Sequence, residues 1–295
     1  MDDSHAQVPR IRLDDAVEIP QIGFGTFQIP PGDTQRAVEE ALEIGYRHID
    51  TAAGYYNEAG VGAALRASGI PRDQVFVTTK LRNVDQGRER ALDAFDASRK
   101  ALGIEVPDLY LIHWPVPSTD LYVETWQAFI ELARADAVRA IGVSNFLPEH
   151  LRRLVDATGV VPAVDQIEVH PTFSQPDVRE ACARLGIVVE AYSPLGQGGD
   201  LDHPVVTGIA QRLDVTPAQV VLGWHIASGR VVIPKSVHPE RMRANLAAAS
   251  VVLDEVDVAA IDEISRPEGR IGGDPATFAF PQTLEDAAAR GEGHS

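Results

Sequence analysis

Apolar residues in this chain gather in short β-rich runs, and the stretches between them carry helical spacing. The runs are YRHIDTA (46–52), VFVTTKL (75–81), LYLIHWP (109–115), RAIGVSN (139–145), VDQIEVH (164–170), IVVEAYSP (187–194), VVIPKS (231–236) and SVVLD (250–254). DTQRAVEEALEIG opens on the capping-type pair Asp33 and Thr34 and stops at Gly45. In GRERALDAFDASRKALG, residues Ala91, Leu92, Phe95, Ser98 and Leu102 fall along one helical face. TPAQVVLGWHIASG reads as a further helix with Thr216 as N-cap and Pro217 in its first turn. Strand alternating with helix implies parallel strands and right-handed crossovers. Eight units spaced by roughly 30 residues predict an α/β fold, a (β/α)8 TIM barrel, which takes ~250 residues.

An open doubly wound sheet is the competing architecture, and it would want a glycine-rich turn after its first strand. Gly23 and Gly25 in IGFGTF begin such a turn, but Phe27, Gln28, Ile29, Pro30 and Pro31 follow, and no helix can start in that register. AVEIPQIGFGTFQI (16–29) therefore reads as a β-hairpin ahead of the barrel, with Gly23 serving a tight turn. Residues 1–10 and 281–295 read as flexible ends around one domain spanning 11–280. The segment from Arg266 onward is rich in Gly, Pro and charge, and its first half is a candidate lid over a substrate.

Composition narrows the class. The chain has 295 residues, 44% of them hydrophobic, with no run near the roughly 20 apolar residues of a membrane span. MDDSHAQVPR lacks the basic-then-apolar order of a signal peptide. A single cysteine, Cys182, excludes an internal disulfide and fits a reducing cytoplasm. A net charge of −17 argues against nucleic-acid binding, which needs clustered Lys and Arg. It also sharpens the question of where so acidic a chain could hold a phosphate.

In a barrel, chemistry collects at the C-terminal ends of the strands. Those ends carry Asp50 followed by Tyr55, then Lys80, His113 with Trp114, Ser144 with Asn145, His170 after Gln166, Tyr192 with Ser193, and Lys235 with Ser236. Taken singly, each residue has a bland explanation as a cap, a packing residue or a solvated charge. Polar groups at nearly every strand end exceed what packing requires. Asp50, Tyr55, Lys80 and His113 would converge on one mouth and suit carbonyl reduction. A hydride arriving at a carbonyl carbon leaves an alkoxide that must be protonated. A tyrosine hydroxyl can donate that proton once a neighbouring ammonium stabilises the phenolate. Asp50 would hold Lys80, and His113 would hydrogen-bond the substrate oxygen. His113, His170 and His225 show no metal-ligand spacing.

With these residues in view, the sequence resembles the aldo-keto reductases, in particular the bacterial branch that contains the 2,5-diketogluconate reductases. The motifs that carry the likeness are HIDTAAGYYNE, VTTKL, DLYLIHWP, IGVSNF, VDQIEVHP, AYSPLGQG and IPKSVHPERMRANL. The resemblance implies NADPH bound extended across the strand ends, a small carbonyl substrate and a monomer. It implies Tyr55 as general acid with Asp50, Lys80 and His113 as partners. It also implies that Ser144, Asn145 and Gln166 hold the carboxamide and that Tyr192 stacks on the nicotinamide. Gly25 and Thr26 belong to the same cofactor set. Ser193, Leu195 and Gly196 border the pyrophosphate, while Lys235, Ser236, Val237, His238, Arg241 and Asn245 carry the adenosine end.

RVVIPKSVHPERMR places Arg230, Lys235, His238, Arg241 and Arg243 against the single Glu240, a basic patch in an acidic chain. Arg suits phosphate through its forked donors, and a helix starting near Pro239 adds amide donors, so NADPH is expected over NADH. Phe27, Tyr56, Trp114 and Phe278 are candidate pocket aromatics. Ala244 stands where the family often has Glu, and Arg82 where it usually has Trp. Arg82 either points to solvent or offers a cation to a substrate carboxylate. Two other functions compete on the same sequence: a Schiff-base aldolase using Lys80, and an NADPH-binding redox-sensing subunit with little turnover.

Overall fold

A computed structural model describes residues 8–14 and 16–283. An antiparallel hairpin comes first, β1 (Arg10–Arg12) with β2 (Glu18–Pro20). Eight parallel strands follow: β3 (Phe24–Gly25), β4 (His48–Asp50), β5 (Phe76–Leu81), β6 (Leu109–Ile112), β7 (Ala140–Ser144), β8 (Val164–Glu168), β9 (Val188–Tyr192) and β10 (Val231–Val232). Each pairs with its sequence neighbour, and a parallel bridge between Ile22 and Val232 joins the first strand to the last. Gly23 N donates to Val232 O and Val232 N to Gln21 O, both at 2.8 Å, so the sheet closes into a barrel.

Among the described residues ten α-helices wrap it: α1 (Pro31–Ile44), α2 (Glu58–Ala67), α3 (Arg88–Leu102), α4 (Tyr122–Arg134), α5 (Pro148–Thr158), α6 (Pro176–Leu185), α7 (Pro204–Leu213), α8 (Pro217–Ala227), α9 (Pro239–Ala247) and α10 (Glu255–Asp262). Helix α3 buries Ala91, Phe95, Ser98 and Leu102, four of the five residues on its predicted face. Helix α8 starts where the sequence places it. Thr216 Oγ accepts from Gln219 N, and the Gln219 side chain accepts in return from the Thr216 amide. Helix α1 begins at Pro31 rather than Asp33, because Pro30 and Pro31 pre-set the first turn.

Two expectations about strands are corrected. SVVLD is not a strand: residues 248–250 form a 3-10 turn and 251–254 are irregular, with Val252 83% exposed. The missing barrel strand comes instead from IGFGTF, read above as part of a hairpin. Its Gly23 serves close packing rather than a turn, since a Cβ there would sit 2.5 Å from His48 Nδ1. The true hairpin lies earlier. Its Val17 and Ile19 pack on Phe76, Leu109, Ala140, Val164 and Val231, the first residues of five barrel strands. The hairpin therefore plugs the N-terminal end, and the C-terminal end stays available for a site.

Residues 1–7 and 284–295 lie outside the described residues, and with them most of both expected flexible ends. Within those ends, Arg10 pairs in β1 and Gln282 is buried. Among the described residues no helix is long and apolar enough to cross a membrane.

Candidate active site

The inner wall of the barrel is polar where β4, β5, β8 and β9 face one another. Asp50 and Lys80 are buried, and Lys80 Nζ lies 2.6 and 2.8 Å from the two Asp50 oxygens. It also donates to Thr51 O at 2.9 Å and approaches the Tyr55 hydroxyl at 3.4 Å. Burial opposes the Lys80 charge, but the charge and hydrogen bonds of Asp50 outweigh it, and its pKa is raised. Burial pushes the Asp50 carboxyl upward against Lys80 and Gln166. Two short contacts to Nζ and a further donor on Oδ2 make Asp50 the ionised partner of Lys80. Glu190 takes the other role. Burial and the Asp50 charge raise it to about 8, so it is protonated at neutral pH.

Gln166 Nε2 donates to Asp50 Oδ2 at 2.8 Å and to Glu190 Oε2 at 2.9 Å. Both amide hydrogens are spent on carboxyl groups, so Oε1 is the atom that can meet a ligand. Asn145 is similarly committed: Nδ2 donates to His113 O at 3.0 Å, and Oδ1 accepts from Tyr192 Oη at 2.8 Å. Ser144 Oγ donates to Gln166 O at 2.7 Å. Tyr56, Asn145, Ser193 and Gln282 all have positive φ, between 47° and 66°. Such backbone is costly in non-glycine residues, and here it is concentrated at the barrel mouth.

These residues open on a cavity of about 970 Å³. Gly25, Phe27, Asp50, Tyr55, His113 and Trp114 line one part of it. Ser144, Asn145, Gln166, Tyr192, Ser193 and Leu195 line the middle, and Lys235, Ser236, Val237, His238, Arg241 and Asn245 the far part. Phe278 from the C-terminal segment stacks on Trp114 with centroids 3.9 Å apart. The rings of Phe27 and His113 lie 5.0 and 5.6 Å from that of Tyr55.

Several residues that the sequence nominates for the site sit elsewhere. Thr26 is fully buried and donates to Asp50 O at 3.0 Å, so it braces β4 from behind. Gly196 is buried and does not line the cavity, although Leu195 and Gln197 on either side do, and a Cβ there would lie 2.5 Å from Asp200 Oδ2. Arg82 takes neither of its two expected roles: it grips Asp85 through Nε at 2.6 Å and Nη2 at 3.1 Å, and donates to Tyr56 Oη at 2.9 Å. Tyr56 is thereby tied outside the cavity lining. Arg230 belongs to no phosphate site either. It is buried, stacks on Trp224 at 4.2 Å, and donates through Nε to His225 Nδ1. That bond leaves the His225 proton on Nε2, which holds Pro194 O at 3.2 Å.

Some functional groups carried no sequence signal. His170, known only as a strand end, is clasped between Asp200 Oδ2 at 2.8 Å and Glu168 Oε1 at 3.1 Å. Glu168 also accepts from the amides of Ile271 and Gly272, pinning the C-terminal segment to β8. Gln282 reaches His113 Nδ1 at 3.0 Å.

The donor set fits an extended dinucleotide with a phosphate at one end. In a chain of net charge −17, the far part of the cavity carries Lys235, His238 and Arg241 beside the N-terminus of α9. The near part carries an ammonium–phenol pair. The tyrosines differ: Lys80 sits beside Tyr55, whereas burial, Glu168 and Tyr55 hold the Tyr192 phenol well above its ordinary pKa.

Known proteins share this architecture and sequence. The Aldo/keto reductase family model matches residues 21–266. An aldo-keto reductase of Mycolicibacterium smegmatis is 52% identical over 272 residues, covering 92% of this chain and 98% of that protein. The methylglyoxal reductase DkgA of Salmonella typhimurium is 44% identical over 270 residues, 91% and 97% of the two chains. A mutant of Gox0644, crystallised in complex with NADPH, matches with a TM-score of 0.88 and 46% identity over 92% of this chain and 99% of that one.

Proposed function

The chain belongs to the aldo/keto reductase family and is an NADP-dependent oxidoreductase, and on that premise we propose that it reduces aldehydes or ketones to alcohols with Tyr55 as proton donor. The observation that carries this reading is the Lys80 ammonium, held by Asp50 and set 3.4 Å from the Tyr55 hydroxyl.

NADPH, when bound, supplies a hydride to the carbonyl carbon. Ser144, Asn145, Gln166 and Tyr192 line the cavity and would hold its nicotinamide end, and Lys235, His238 and Arg241 its phosphate end. Tyr55 and His113 stand side by side, their rings 5.6 Å apart, which supports a substrate oxygen bound between them. His113 binds that oxygen and fixes its position. Tyr55 gives its proton to the developing alkoxide, and Lys80 stabilises the phenolate left behind. Asp50 keeps the ammonium charged in a dry wall. Phe278 stacked on Trp114, with Phe27 opposite, makes the substrate end apolar. With Arg82 tied to Asp85, that end offers uncharged aldehydes and ketones a better fit than keto acids.

The aldolase reading loses its nucleophile. Lys80 donates to both Asp50 oxygens and to Thr51 O, and its raised pKa keeps it protonated, without the lone pair a Schiff base needs.

The test follows NADPH absorbance with methylglyoxal, simple aldehydes, diketones and keto acids. Tyr55→Phe is expected to lower kcat by about 10²–10⁴-fold while NADPH still binds, measured by fluorescence titration. Intact turnover in that variant would overturn Tyr55 as the acid. Comparable kcat/KM with NADH would overturn the assignment of the basic patch to a cofactor phosphate.

A further inference from the structure

Gln282 comes from the last described stretch of the chain, yet it is only 5% exposed and its side chain enters the cavity. Three bonds anchor this stretch to the loop after β5. Asn83 Nδ2 donates to Phe280 O at 2.7 Å, Val84 N to Pro281 O at 3.3 Å, and Asn83 N to Gln282 Oε1 at 3.0 Å. Tyr56 Oη donates to Gln282 O at 3.0 Å, and Arg82, gripped by Asp85, holds that hydroxyl. The other end of the Gln282 amide lies 3.0 Å from His113 Nδ1.

This arrangement decides the orientation of the amide and then the protonation of the imidazole. A backbone N–H can only donate, so the Gln282 atom facing Asn83 is the carbonyl oxygen. The atom facing His113 is then the NH2 group, which also can only donate. His113 Nδ1 must accept, and the ring proton resides on Nε2. We propose that Gln282 is a positioning residue for the reaction: its amide fixes the neutral Nε2–H tautomer of His113, so the histidine meets the substrate carbonyl as a hydrogen-bond donor. Protonating Nδ1 would set two donors against each other, so the same contact keeps His113 neutral. Among the described residues, the Lys80–Asp50 pair lies behind Tyr55, whose ring contacts that of His113, and the Arg82–Asp85 pair lies beyond Tyr56. The side chain of Arg82, absent from the cavity, acts here through Tyr56 on the segment that delivers Gln282. The inference rests on the carbonyl-reduction reading.

The test uses the full chain labelled with 15N-histidine, the His113 signals being identified by their loss in His113→Asn. The wild type is expected to show a protonated Nε2 and an unprotonated Nδ1 at neutral pH. In Gln282→Glu the carboxylate accepts from Nδ1–H, and the signals move to the other tautomer or to the cation. Gln282→Leu, which removes the donor, is expected to lower kcat/KM by about 10-fold, the worth of one hydrogen bond. Gln282→Glu is expected to shift the acidic limb of the pH–rate profile to higher pH, and Gln282→Leu not to shift it so. A purely structural role would give both variants equal losses and unshifted profiles, and that would overturn the proposal. So would a wild-type His113 protonated on Nδ1. The spectra need no turnover, so a wild type that reduces no carbonyl sinks the reaction reading alone.

Discussion

Gln166 divides its two amide hydrogens between two buried carboxyl groups of opposite character. Asp50 is ionised against Lys80, and Glu190 holds a proton because burial and the Asp50 charge raise it to about 8. Lys80 thus faces one negative charge, not two. A carboxyl with a raised folded pKa binds its proton more tightly folded than unfolded, so it lowers stability as pH rises from the ordinary glutamate range through about 8. Glu190→Gln removes that liability while keeping an acceptor for Gln166. Its stability should match the wild type near pH 4.5 and exceed it by about 1–3 kcal/mol at neutral pH. Thermal melts across that range measure the difference, and a constant offset would show that Glu190 does not titrate. The same residues mark the limit of the sequence. Asp50, Lys80 and His113 were legible because each ends a strand in a chain whose strands are parallel. Glu190 and His48 sit one layer deeper, where apolar and polar barrel residues read alike until register is known. Gln282 stands 169 positions from His113, and no local pattern links them.

Helices and longer strands were legible because their signals repeat within one element. The Thr216 cap and the α3 face span several residues, and both occur where the pattern puts them. The two-residue strand β3 has no periodicity to read, β10 was legible only as the apolar start of VVIPKS, and SVVLD imitates a strand while lying beyond α9 and outside the sheet. Contacts between elements were also silent in the sequence. Gly62 in α2 is one case: a Cβ there would collide with Leu102 O, the last carbonyl of α3. Both partners are backbone, so the clash is relieved only by moving one helix. Gly62→Ala should therefore cost about 1–3 kcal/mol, whereas glycine-to-alanine in an open helix is stabilising. Thermal unfolding reads the loss, and an unchanged or raised melting temperature would mean that α2 and α3 slide freely.

At the scale of the molecule, the barrel is plugged below by the hairpin and bordered above by segments that share one histidine. His170 joins Asp200, from the loop after β9, to Glu168, which pins residues 271–272. Burial disfavours its charge, but the bonds to Asp200 and Glu168 prevail and raise it to about 9, while both carboxyls are held below their usual range. The direction of the pH effect follows. A histidine with a raised folded pKa contributes fully below its unfolded value of about 6.5, and the contribution is lost as pH rises through about 9. The two carboxylates act oppositely, and their share is lost as pH falls through their lowered values. The clasp should be tightest between these limits. Wild type should lose about 1–3 kcal/mol between neutral pH and about pH 10 that His170→Gln, already lacking the charge, does not lose. Because Leu195 and Gly198 before Asp200, and Gly272 beside Glu168, line the cavity, NADPH affinity should weaken over the same alkaline range in the wild type alone. Parallel melts and fluorescence titrations of the two proteins measure both effects. Identical alkaline slopes would mean that His170 fills space between the loops without binding them by its charge.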